Sequence, residues 1–301
     1  MSDPADGIGR ISEASIDGAR ALPLDTRFVL GERLTEEQRG FLWLNGYLLF
    51  GEVASPSEIA EILSEVDRVH SALDASGRDQ VNGIPILVGE GPSGRMIQRL
   101  PFTSTLSPSV RAFVRDARFD PIRALIGRDT RVGDEEKDGV VFNQYANVDG
   151  SLRPGLGWHT DGLRSIAYGR LPGPMLNVGL HFDRIAAADG GLRLVPGTHH
   201  QGLWSMCFHK PYFVSHEPDP AEIAIETLPG DLTVHDGRLW HRVQASPRTG
   251  AESLRRSMYV PYLVGPYEPK SESSPMPLYH RVFRWALSQR AWFNRGRIRL
   301  G

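Results

Sequence analysis

Apolar residues fall into two textures along the chain, with the change near residue 138. Before it, they recur at helical spacing behind helix-starting signals. Thr35-Glu36-Glu37-Gln38 has the form of a capping box, in which hydroxyl and amide satisfy amides that the first turn leaves unpaired. That box predicts a helix carrying Phe41, Leu42 and Leu44 toward a core and stopping at Gly46. Tyr47 to Phe50 reads as a short buried strand, and Ser55-Pro56-Ser57-Glu58 opens a second helix with Ile59, Ile62, Leu63 and Val66 on one face. Ser107-Pro108 starts a third, with Val110, Phe113 and Val114 as its apolar stripe. Residues 34–135 are thus expected to be mostly helical support, and residues 1–25, which lack periodicity, a flexible arm.

Beyond residue 138 the runs shorten and become β-rich: Gly139 to Ala146, Leu176 to Asp183, Gly191 to Val195, Asp231 to His235 and Ser257 to Leu263. Turns such as Pro172-Gly173-Pro174 and Pro229-Gly230 separate them, with no long helix between. This pattern predicts an antiparallel sandwich or jelly roll over 138–265, with the earlier helices on one outer face. No repeat is visible, so 1–301 reads as one domain. Residues 278–301, from His280-Arg281-Val282-Phe283-Arg284-Trp285 onward, predict a basic, aromatic helix. Packing of its aromatics on the sheet is preferred over a membrane-surface role.

Composition narrows the function. The single Cys207 excludes a disulfide framework and a thiolate zinc finger. A formal charge of -2 argues against nucleic-acid binding through bulk electrostatics. No run nears the roughly 18 apolar residues of a membrane span, and the polar start lacks a secretory pattern, so a cytoplasmic protein without integral membrane association is expected. The 10 histidines stand out, imidazole being the commonest metal ligand.

Two motifs compete for attention. Gly89-Glu90-Gly91-Pro92-Ser93-Gly94 fits G-x-G-x-x-G, but Pro92 removes an amide and no βαβ pattern follows, so it reads as a plain turn. Trp158-His159-Thr160-Asp161-Gly162 is stronger. In extended backbone His159 and Asp161 point to one side, and a distant histidine, His241 or His235, would complete two imidazoles and one carboxylate. Such a set leaves about three positions open on octahedral iron(II). Arg255 and Arg256 follow at the start of a strand, where an arginine could grip a carboxylate.

Four blocks in order carry a family resemblance: LTEEQRGFLWLNGYLLF, WHTDG, DGGLRLVPGTHH (189–200) and PGDLTVHDGRLWH followed by RRSM. Over residues 34 to 265 the sequence resembles the phytanoyl-CoA dioxygenase family of iron(II)/2-oxoglutarate-dependent oxygenases. The resemblance implies a mainly β, double-stranded β-helix (jelly-roll) fold with flanking helices at both ends. It implies metal ligands His159, Asp161 and His241, with the distal carboxylate of 2-oxoglutarate on Arg255. The implied activity is dioxygen-dependent hydroxylation, or a related oxidation, of an unactivated C–H bond in a small or medium organic substrate, releasing succinate and CO2. Halogenating members replace the carboxylate ligand, whereas Asp161 is present.

Two departures mark this chain. Relatives often carry a serine two residues after the distal histidine, where this chain has Val243, and some carry an aromatic residue in place of Gly179, whose absence is expected to enlarge the pocket. By parity Asn177, Gly179 and His181 share a strand face, making Asn177 and His181 candidate substrate contacts. In 140–146, Asn143 and Tyr145 share the face preferred for co-substrate contact; Gln144, on the other, is the alternative. Gln98, Met96 and Arg99 in segment 80–106, and segment 203–225, are candidate substrate-facing elements. Arg256 is expected in solvent, and His199 and His200 at the surface or behind the ligands. Two rival functions remain open: a non-catalytic jelly-roll binding module, and a zinc hydrolase, for which no H-E-x-x-H helix is present.

Overall fold

The computed structural model describes residues 11–163, 165, 172–278 and 280. The expected flexible arm instead contains helix α1 (Glu13–Arg20), capped by Ser12 and burying Ser15 and Ala19. A helix this short is held by tertiary packing, here on the following helix, and so leaves little periodic signal. After strand β1 (Arg27–Phe28), α2 (Glu36–Asn45) starts at the reciprocal Thr35–Gln38 box and ends at Gly46, whose φ of 83° is the left-handed stop. β2 (Tyr47–Phe50) and α3 (Pro56–Ser76) follow as expected; α3 buries Ile59, Ile62 and Val66.

Residues 34–135 are less helical than the pattern predicts. β3 (Gln80–Val81) and β4 (Ile84–Pro85) form a small hairpin, and β5 (Leu87–Gly91) pairs with β6 (Gly94–Leu100). Arg95, Gln98 and Arg99 interrupt the apolar alternation of β6, which hid it as a loop. The glycine-rich motif is the tight turn of this hairpin, Gly91 pairing with Gly94. A turn between antiparallel strands offers no helix N-terminus to a phosphate. The short helices α4 (Thr103–Leu106), α5 (Pro108–Val114) and α6 (Asp120–Arg123) lead to β7 (Arg131–Val132).

The remaining strands are β8 (Val141–Tyr145), β9 (Leu156–His159), β10 (Met175–His181), β11 (Gly191–Leu194), β12 (Ile223–Ala224), β13 (Leu232–Asp236), β14 (His241–Gln244) and β15 (Arg255–Leu263), with helix α7 (Leu203–Phe208) before β12. One sheet runs β1-β2-β13-β10-β15-β8-β6-β5, with β7 on β15; the other runs β12-β11-β14-β9. Strands β8, β10, β13 and β15 therefore lie in the large sheet and β9, β11, β12 and β14 in the small one, a sheet-rich arrangement consistent with a jelly roll. The front segment extends the large sheet on both sides: β2 pairs with β13 and β6 with β8, leaving β1 and β5 at the edges.

On β8, Phe142 faces outward, where His70 of α3 meets it edge-on at 6.1 Å. The helices thus cover the outer face of the large sheet, and its inner face is left for the site. The expected helix over 278–301 lies outside the described residues apart from Leu278 and His280.

His199 is a correction: it is 1% exposed, and its Nε2–H donates to the Trp43 carbonyl, which the end of α2 leaves open. Burial pushes both His70 and His199 down to about 4. The unfolded chain takes up these protons near pH 6.5 and the folded one does not. Stability is therefore complete above about pH 6.5 and falls toward pH 4, each histidine removing about 1.4 kcal/mol per pH unit. Urea unfolding at pH 7.5 and pH 5 is expected to show the loss, and His70→Leu to lessen it; an unchanged slope would remove His70 from the account.

Candidate metal centre

The site lies between the sheets. His159 ends β9 and His241 begins β14, and the two are direct cross-strand partners with ring centroids 4.0 Å apart. Each ring is fixed by its backbone: Nδ1–H of His159 donates to the Gly157 carbonyl (2.8 Å) and Nδ1–H of His241 to that of Leu239 (3.0 Å). Both therefore present Nε2, a lone pair, to the interior, which is how a second hydrogen bond prepares a histidine ligand. Asp161 follows His159 by two residues, and ligating atoms of all three lie within 4.8 Å of one another. All three are at most 5% exposed.

Asp161 is held from behind. The Asn177 amide donates to its Oδ2 at 2.8 Å, and His235 Nε2 lies 3.3 Å from the same oxygen. Asn177 and His235 are paired across β10 and β13, so the large sheet orients a ligand that the small sheet supplies. His235 also packs against His241, ring centroids 4.5 Å apart. It stands behind the triad, supporting Asp161.

Beyond the triad, Arg255 is buried with its Nη atoms donating to the carbonyls of Gln244 (2.6 Å) and Pro154 (2.8 Å). Its Nε is buried without a partner, and no carboxylate pairs with it among the described residues. Desolvation lowers its pKa to about 10. A buried cation lacking an anion is costly. The arrangement fits a ligand that brings its own carboxylate, and two imidazoles plus one carboxylate fit iron(II).

One cavity is lined by the triad, Asn143, Tyr145 and Asn177, and a smaller one by Arg255, His181 and Ser257. Tyr145, Leu192, Val243 and Tyr259 line both. Gln144 and Gln98 line neither. Gln144, on the face of β8 that Phe142 shares and turned away from the triad, donates to the Ile97 carbonyl, and Gln98 is consumed by Glu90, Ser151 and Leu152 before β9. Both side chains are thus committed to structural hydrogen bonds. His181 is neutral, pushed down to about 3 by burial, and its Nε2 is shared with Thr233. Arg256 is also corrected: it is bidentate to Asp183.

Gly179 does not open the pocket. A Cβ there would lie 2.2 Å from the ring of Tyr259, its cross-strand partner, so the neighbouring strand fills that space with an aromatic ring. Tyr259 was missed, although it lies four residues after Arg255 and shares its face. Phe213, in the segment 203–225, stacks on His159 at 4.9 Å; nothing in its local sequence marks that contact.

A two-histidine, one-carboxylate centre in a two-sheet core, with a guanidinium awaiting a carboxylate, defines an iron(II)/2-oxoglutarate-dependent oxygenase. Residues 43–252 match the model of the phytanoyl-CoA dioxygenase (PhyH) family, and the chain belongs to that family. No curated protein sequence matches it. Among solved structures, EctD from S. alaskensis, with 2-oxoglutarate and 5-hydroxyectoine, is 17% identical, with TM-score 0.58 over 85% of this chain and 87% of that one. HygX from Streptomyces hygroscopicus, with nickel and 2-oxoglutarate bound, is 18% identical, with TM-score 0.54 over 81% and 89%. The epimerase SnoN, in complex with Fe3+, alpha ketoglutarate and nogalamycin RO, is 15% identical, with TM-score 0.54 over 78% and 94%. Among the described residues no helix is long and apolar enough to cross a membrane.

Asn177→Leu is expected to weaken manganese(II) binding by about tenfold, as loss of an outer-shell partner does, measured by calorimetry; an unchanged affinity would show that the amide does not orient Asp161. Gly179→Ala should cost about 1–3 kcal/mol, and the double variant with Tyr259→Leu should recover most of it in urea unfolding.

Proposed function

We propose that this protein hydroxylates, or otherwise oxidises, a C–H bond of a small or medium organic molecule, consuming 2-oxoglutarate and dioxygen and releasing succinate and CO2. The observation that carries the reading is the buried, carboxylate-free Arg255 in a cavity that shares Tyr145, Leu192, Val243 and Tyr259 with the one lined by His159, Asp161 and His241. The connectivity of the two sheets supports a double-stranded β-helix.

In this reading the three ligands hold iron(II), which supplies oxidation of the substrate coupled to decarboxylation of the 2-oxo acid. Every other contribution is positional. Arg255 grips the distal carboxylate, and Asn143 and Tyr145 contact the co-substrate between the two ends. Asn177 and His235 keep Asp161 turned to the centre. Leu192, Val243 and Tyr259 wall the path and exclude water, which strengthens the charged contacts inside. Asn177, its amide donating to Asp161, acts on ligand geometry rather than on substrate. His181 stands beside Arg255, away from the triad cavity.

A small or medium organic substrate is favoured because the similar structures include ones bound to 5-hydroxyectoine or nogalamycin RO. A purely binding module would have no use for an intact triad together with Arg255, and a zinc hydrolase would leave Arg255 without a role.

Anaerobic iron(II) protein is expected to develop the visible charge-transfer band of an iron(II)/2-oxoglutarate complex and, with oxygen and a substrate, to form succinate. Arg255→Gln should raise the dissociation constant for 2-oxoglutarate by about 100-fold, the loss of a charge-assisted pair, and leave iron affinity unchanged. The reading fails if His159→Ala binds iron as the wild type does and no succinate forms.

A further inference from the structure

We propose that Arg153 is a second anchor for the distal carboxylate of 2-oxoglutarate, receiving it together with Arg255 across the ring of Tyr145. The inference rests on the oxygenase reading and assigns a co-substrate contact to a residue outside the family's metal and arginine motifs.

Arg153 lies in the turn just before β9, and it lines the triad cavity. Its guanidinium carbon stands 5.1 Å from the centroid of the Tyr145 ring, and that of Arg255 stands 5.8 Å from the same centroid. Nη2 of Arg153 donates to the Tyr145 hydroxyl at 3.2 Å. The next residue, Pro154, supplies the carbonyl that receives Arg255 Nη2 at 2.8 Å. One short stretch therefore carries one guanidinium and fixes the other.

Neither cation has an acidic partner among the described residues, and the Nε atom of each is buried with no hydrogen bond. Arg255 is buried and Arg153 half-buried; two cations held against one aromatic ring repel each other, and an anion shared by both would relieve that cost. A carboxylate has two oxygens to share between two donors.

The position favours the co-substrate over an anionic group on the primary substrate. Tyr145 is the direct cross-strand partner of Arg255, lines both cavities and has both guanidinium groups against its ring, which places Arg153 beside the Arg255 site. Val243, which lines both cavities and pairs with Leu156 of β9, offers no hydroxyl to a carboxylate there. Arg153, three residues before Leu156, supplies the donor that Val243 lacks.

The test compares two 2-oxo acids on anaerobic iron(II) protein by the visible charge-transfer band: 2-oxoglutarate, and 2-oxovalerate, which has the same head but no distal carboxylate. The wild type should prefer 2-oxoglutarate. Arg153→Met and Arg153→Gln, the latter keeping a donor for Tyr145, should each weaken 2-oxoglutarate at least tenfold and leave 2-oxovalerate unchanged. Equal weakening of both acids would mean that Arg153 only props Tyr145, and unchanged 2-oxoglutarate affinity would assign it to another ligand. Either result overturns the proposal. A wild type that binds iron but gives no band with either acid overturns the oxygenase reading itself.

Discussion

The pairing of His241 with His159 across β14 and β9 is the constraint from which the site follows. Two neighbouring strands in the small sheet bring imidazoles to 4.0 Å, ring centroid to ring centroid, and each strand's own carbonyl locks its ring with Nε2 facing in. Two imidazole lone pairs turned into a buried space beside a carboxylate are unfavourable unless a cation joins them. Asp161 adds the negative charge, and Asn177 and His235 reach it from the opposite sheet. A metal would thus tie the sheets together at one end of the core.

At the other end the charge is reversed. Arg255 is as buried as the ligands, and its carbonyl partners satisfy hydrogen bonds without neutralising it. A dianion with one end for metal and the other for guanidinium compensates both ends at once. Preorganisation of this sort puts the electrostatic cost into folding, so that binding recovers it. The same logic explains why the outer faces are covered so thoroughly. Helix α3 over Phe142, together with the flanking strands β2 and β6, keeps water from the sheet on which Arg255 and Asn177 stand.

Much of this was legible locally. Capping boxes announced α2 and α3 because they depend on residues three apart, and parity separated Asn143 and Tyr145 from Gln144 because a strand alternates regardless of context. Where the cause was distant, the reading failed. Helix α1 depends on α2 beneath it. Gln98 looked like a substrate contact until the turn at 150–152 claimed its amide, and Gly179 looked like open space until β15 brought Tyr259 over it.

The sequence by itself determined the metal chemistry: spacing puts His159 and Asp161 on one side of one strand, and the family resemblance adds His241 far along the chain. It also determined the class of fold, since short runs and frequent turns leave few alternatives. Only the tertiary structure decided which histidine stands behind the triad, which strand supplies the aromatic wall, and that Arg255 and Arg153 share a tyrosine. These are contacts between elements far apart in sequence, and local periodicity carries no information about which side chains meet across a core.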